Sequence, residues 1–203
     1  MENIDKAEVN PAMTGKLTNA VKLESTVFGT GSYVNFSMTE YDHLETALAI
    51  YEQHAVENIS YLRGSSGERF LNISENILIR CENILGVSMR FFIEGFPHAI
   101  HPATLKDLLY SKNYSRMGYR IQISLRFGSL NSHVYTTSAW RDTKEEADEL
   151  KERIYNLIQT MDTKTTVELF GLVIRPKSIL SCEVMVSDTP EEKPWLDFIE
   201  EEE

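Results

Sequence analysis

Apolar and polar positions alternate most cleanly between Tyr119 and Trp140. Tyr119, Ile121, Ile123, Leu125 and Phe127 are separated by Arg120, Gln122, Ser124 and Arg126, the period-2 signature of a half-buried strand. Gly128-Ser129-Leu130-Asn131 supplies turn residues, and a Val, Tyr and Thr-rich run returns from it. A four-residue loop sets Phe127 opposite Ser132. The apolar face then gains Val134 and Trp140, while Arg120, Arg126, His133 and Tyr135 share the other. A slip of one residue would invert that assignment along the whole return strand.

The rest of the chain divides on the same reasoning. Val21 to Met38 patterns as a first hairpin. Leu44, Ala47, Leu48, Tyr51 and Ala55 then fall on one helical face, with Thr39 or Asp42 as N-cap. Strands are expected at Phe70 to Ile73, Leu78 to Cys81 and Val87 to Ile93. A connector with Pro97 and Pro102 follows, with a short helix at Ala103 to Tyr110. Thr143-Lys144-Glu145-Glu146 is a capping box that starts a helix, whose stripe is Ala147, Leu150, Ile154, Leu157, Ile158 and Met161. Val167 to Ile174 and Ile179 to Val186 close the pattern as strands around Arg175-Pro176-Lys177.

The halves resemble each other. Val27-Phe28-Gly29 and Arg126-Phe127-Gly128 end the first strand of each hairpin, and Ser32-Tyr33-Val34 and Ser132-His133-Val134 open the second. A helix follows each, then a strand entered through Phe70 or Phe170. Ile77-Leu78 with Cys81-Glu82 echoes Ile179-Leu180 with Cys182-Glu183. We read an α+β protein built on an internally duplicated ββαββ unit, its antiparallel sheets each covered by one main helix. The expected divisions are a flexible arm over 1–18, a first repeat over 19–93, a connector over 94–118, a second repeat over 119–187 and a disordered acidic tail over 188–203. The order of elements is similar to that of PUR-type and Whirly-type nucleic-acid-binding repeats, with no sequence motif in common; such a likeness carries no residue roles.

Charge changes this picture more than composition does. The 203 residues are 42% hydrophobic and 25% charged, ordinary for a globular protein, with a formal net charge of −11. Between Thr104 and Arg141, Lys106, Lys112, Arg116, Arg120, Arg126 and Arg141 stand against Asp107 alone, a local +5 that leaves −16 for the remainder. Residues 188–203 carry −7. No run is apolar enough to span a bilayer and no secretory leader opens the chain, so a cytoplasmic protein without membrane contact is expected. Cys81 and Cys182 are then free thiols.

Motifs for chemistry are lacking. His98 and His101 form a close pair without further ligands at usual spacing, so no metal is expected. Gly64-Ser65-Ser66-Gly67 lacks the Lys-Ser/Thr ending of a phosphate loop. With no nucleophile elbow, HExxH or dinucleotide fingerprint in the sequence, the expectation is a non-catalytic protein without cofactor. The leading candidate is a binding surface for single-stranded nucleic acid at Lys112, Tyr114, Arg116, Tyr119, Arg120, Arg126, His133 and Tyr135, where cations meet phosphates and rings stack on bases. The acidic tail, with Trp195, Phe198 and Ile199 as partner-binding anchors, resembles the tails of single-stranded-DNA-binding proteins, although it ends in four glutamates. Two alternatives are an acidic inhibitor that mimics nucleic acid toward a basic partner protein, and a structural or assembly component.

Overall fold

A computed structural model describes residues 16–17, 20–30, 34–64, 67, 69–74, 77–111, 114–128, 133–162, 165–196 and 198–199. It is an α+β protein with antiparallel sheets. In the first half, β2 (Val21–Gly29) and β3 (Val34–Tyr41) form a hairpin, followed by α1 (Leu44–Arg63). A short hairpin of β4 (Phe70–Ser74) and β5 (Ile77–Arg80) then leads through a 3₁₀ turn to β6 (Ile84–Ile93), which pairs back onto β2. The second half runs in the same order. β7 (Met117–Phe127) and β8 (His133–Arg141) form the hairpin, α3 (Lys144–Thr160) follows, and β9 (Val167–Leu169) with β10 (Leu172–Ile174) makes the short hairpin. A 3₁₀ turn leads to β11 (Ile179–Val186), which pairs back onto β7. Between the halves lies α2 (Pro102–Tyr110). Two-residue strands β1 (Lys16–Leu17), β12 (Glu191–Glu192) and β13 (Phe198–Ile199) complete the set.

Three strands therefore follow each helix, one more than the sequence pattern suggested after α3. Val167 to Ile174 is not one strand because Phe170 and Gly171 both adopt positive φ, 57° and 88°, the backbone of a tight hairpin turn. The Cys-Glu landmarks are not equivalent either. Cys81-Glu82 lies in the 3₁₀ turn, whereas Cys182-Glu183 lies within β11.

The halves are interlocked. The first sheet runs β3-β2-β6-β10-β9, so the short hairpin of the second half completes the sheet of the first. The second sheet places β7 between β8 and β11, and β12 continues the pairing along the start of β7. Among the described residues, Ile100 bridges the two sheets through Phe91 of β6 and Ser138 of β8. One core cluster lies under α1 and α2 and takes Trp140 and Val173 from the second half. A second forms between the sheets from Phe28, Leu125, Phe127, Tyr135, Leu169, Leu172 and Ile174. The third is sealed by Ala147 and Ile154 of α3 over Ile121, Ile123 and Val184.

Local signals account for the helices. The Thr143 hydroxyl accepts from Glu146 N at 3.2 Å and the Glu146 carboxylate accepts from Thr143 N at 3.3 Å, a complete capping box. α1 begins after His43 without a side-chain cap, one residue beyond Asp42, and ends at Gly64 in the left-handed conformation. Its predicted stripe is buried at Leu44, Ala47, Leu48 and Tyr51. No helix of the described residues is long and apolar enough to cross a membrane.

Arg175 is the principal polar strut between the halves. Its guanidinium donates to the carbonyls of Leu62, Cys81, Glu82 and Ile84 at 2.9–3.1 Å, joining the end of α1 to the start of β6. A lysine ammonium has three donors and no planar fork. Arg175→Lys should therefore lower unfolding free energy by about 2–4 kcal/mol in urea titrations.

Candidate binding surface

The basic-aromatic stretch already has an occupant: the C-terminal segment of its own chain. Tyr114 donates its hydroxyl to Pro194 O at 3.0 Å, and its ring lies 6.0 Å from that of Trp195. The Arg116 guanidinium sits 4.2 Å above the Trp195 ring, a cation–π distance. Arg120 pairs with Glu191 at 2.6 Å and also donates to Gln122. Lys193 donates its backbone N–H to Arg116 O at 2.8 Å, places its ammonium 5.0 Å from the Tyr114 ring and forms an ion pair with Asp142. Gly118 lets the Lys193 stem pass, since a Cβ there would lie 2.3 Å from Lys193 Cε and 2.6 Å from Arg141 O. Burial holds the Tyr114 phenol above its usual range.

The expectation of a disordered tail from Asp188 consequently fails through Leu196, which is 1% exposed and belongs to the main core. Trp195 is partly buried and packs against that core. Phe198 and Ile199 form β13, paired with β1 inside the expected N-terminal arm. Residues 197 and 200–203 lie outside the described residues, as does Lys112. Pro190, Pro194 and the acidic run read as disorder. The signal pointing the other way was the match between a −7 segment and a +5 stretch, with an aromatic cluster inside the former.

Register decides the remaining site residues. Phe127 pairs with His133, not Ser132, and that one-residue slip exchanges the faces of β8. His133 turns inward, with Nε2 3.2 Å from Gly29 O and its ring 5.1 and 5.6 Å from Phe28 and Phe127. Tyr135 is 1% exposed and donates to Phe170 O. Neither can stack on an external base. Val134 moves to the Arg126 face and becomes exposed, whereas Trp140 moves to the Arg120 face and is still buried. There the 94–101 connector covers it, with Phe96 and His98 rings 5.6 and 6.4 Å away. Tyr119 is half-buried against the α3 core. Arg126 is exposed and has no ion pair among the described residues.

A polar cavity of about 310 Å³ opens beside the C-terminal segment, between α2, the end of β8 and the start of α3. Its charges largely pair off on its own walls. Arg141 lies 3.6 Å from Asp107, and Lys193 meets Asp142. Burial raises the Asp107 pKa, and Arg141 opposes the shift. Among the described residues no three His, Cys, Asp or Glu side chains gather as a metal site. His101 serves the fold, its Nδ1 accepting from Ala103 N as N-cap of α2. Burial, with Arg141 and Lys106 nearby, lowers its pKa to about 4.

Two predictions follow from these contacts. Leu196→Ala should cost about 2–5 kcal/mol in chemical denaturation, because the segment is core and not a free tail. For His101, the unfolded chain takes up a proton near the ordinary pKa of about 6.5 while the folded state resists until about 4. Stability should thus fall as pH drops through that window, by on the order of 1–2 kcal/mol since the residue is only half-buried. His101→Asn, which keeps a capping acceptor, should remove this component of the pH–stability curve. Comparison with family models, with curated proteins and with solved structures finds no match to this chain.

Proposed function

We propose that this chain is a non-catalytic binding protein that engages a basic partner protein through its carboxylate-rich surface. One observation carries the reading: Arg116 and Arg120, two of the four cations expected as phosphate contacts, are engaged within the molecule, as are several cations elsewhere, while Arg126 is exposed. Arg116 covers Trp195, Arg120 and Lys193 hold Glu191 and Asp142, Arg90 holds Glu24 and Arg175 holds main-chain carbonyls. The surplus of a −11 chain is carboxylate. On α3, Glu145, Glu149 and Glu152 are exposed at i, i+4 and i+7, along one side of the helix. A surface of one sign steers an oppositely charged partner and disfavours polyanions. Single-stranded nucleic acid is the second reading: of its expected stacking groups Tyr135 is buried, Tyr114 is engaged by Pro194 and Tyr119 is half-buried, and of its phosphate contacts Arg116 and Arg120 are occupied while Arg126 is exposed.

The test is affinity purification of the full chain beside a Glu145→Lys/Glu149→Lys/Glu152→Lys variant, with the captured protein then titrated against each. A partner with a basic isoelectric point, bound about tenfold or more weakly by the variant and more weakly at higher salt, is expected. Equal affinity for both proteins would remove α3 as the contact. A labelled oligonucleotide that bound the full chain at low salt, with salt-sensitive affinity, would restore the nucleic-acid reading.

A further inference from the structure

Every open sheet needs a way to protect its edges, since an unpaired strand offers backbone donors and acceptors to any other strand. Of the four long edges of the two main sheets, three are protected. β9 is only three residues long, and Arg63 donates to Thr166 O just before it. β8 is covered where Ser138 N donates to Ala99 O at 2.9 Å and His101 N donates to Ser138 O at 2.7 Å. β11 carries a register shift between Ile179 and Ser181 and an exposed Glu183.

β3 is not short, covered or bulged. Its eight residues pair with β2 in unbroken register from Val21↔Tyr41 to Phe28↔Val34. It contains no proline, and its single charge, Glu40, is paired with Lys22 at 2.7 Å on the neighbouring strand. Ser37, Met38, Thr39 and Glu40 are all exposed, which places both faces of this end of the strand in solvent. Among the described residues no backbone hydrogen bond reaches its outer side.

We propose that β3 is a self-association edge, and that its occupant is β3 of a second copy of this chain. The sequence of the strand is complementary to itself. A two-fold axis normal to the sheet keeps the α1-covered faces on one side and pairs residues whose numbers differ by an even count. With that axis at Ser37, Phe36 lies opposite the copy's Met38 and Asn35 opposite its Thr39. Glu40 meets Val34, so the only charge never faces itself. Two five-stranded sheets become one of ten. This pairing involves neither the carboxylates of α3 nor the C-terminal segment, so it stands or falls separately from the basic-partner reading.

Sedimentation velocity on the full chain from about 1 to 100 µM should show a monomer–dimer equilibrium. Because each copy carries −11, the dimer should tighten with added salt, whereas association through ion pairs would loosen. Ser37→Glu sets like charges directly opposite at the axis and should reduce the dimer about tenfold or more, with an unchanged monomer thermal midpoint. Ser37→Cys should cross-link two copies on oxidation, since opposed strand residues lie about 4.5–5.5 Å apart at Cα, within disulfide reach. Met185→Cys, on the β11 edge, should not exceed the cross-linking of the unsubstituted chain, which has its own Cys81 and Cys182. A monomer throughout the concentration range, or cross-linking through Met185→Cys at the level of Ser37→Cys, would overturn the proposal.

Discussion

The architecture depends on the insertion of β10 beside β6. This strand belongs by sequence to the second half and by hydrogen bonding to the first, with Leu172↔Ser88, Val173↔Val87 and Ile174↔Gly86 in register. The close approach imposes glycine at two points. A Cβ on Gly171 would lie 2.5 Å from Met89 O, and one on Gly86 would lie 3.0 Å from Val173 O. The turn that delivers β10 is held from both sides. Tyr135 of the second half donates to Phe170 O, while the Glu168 carboxylate accepts from Tyr51 of α1 and from Gly171 N. Removing the inserted hairpin would open the cluster between the sheets, where Leu169, Leu172 and Ile174 meet Phe28 and Phe127. The two halves therefore share one folding unit although their elements run in the same order.

Sequence pattern located most of the elements because local chemistry specifies them. The Thr143 capping box, the Leu44 to Tyr51 stripe and the alternation in β7 depend on neighbours within a few residues. Register was less legible. β8 reads His133-Val134-Tyr135-Thr136-Thr137-Ser138-Ala139-Trp140 and has no strict alternation, since both of its faces are covered near Trp140. With one face of a strand wet, the pattern chooses the register; with both dry, it cannot. Loop length then decides, and the loop is one residue longer than the pattern assumed.

The intramolecular contacts of the basic-aromatic stretch were illegible for a related reason. Cations interleaved with rings look the same in sequence whether they await a ligand or hold another part of the chain. Arg120 and Glu191 are separated by 71 residues, and Tyr114 and Pro194 by 80, so no local period reports these pairings. Proline and acidic residues in the last segment argued for disorder on composition. Burial of Leu196 and the β12 pairing with Gly118 and Met117 supply the opposing free energy, which composition does not register.

The difference between the two hairpins now has a physical cause. β2 carries Lys22 and Glu24, each paired within its own sheet to Glu40 and Arg90. β7 carries Arg120, and Arg116 lies just before it, because the acidic C-terminal segment lies against its first residues and needs counter-charge there. Part of the positive charge concentrated in sequence is thereby neutralised in space, whereas Glu145, Glu149 and Glu152 of α3 are exposed and form no ion pair among the described residues. Arg116 and Arg120 of that cluster form a structural clasp on the C-terminal segment, and the net charge left to the rest of the chain is negative.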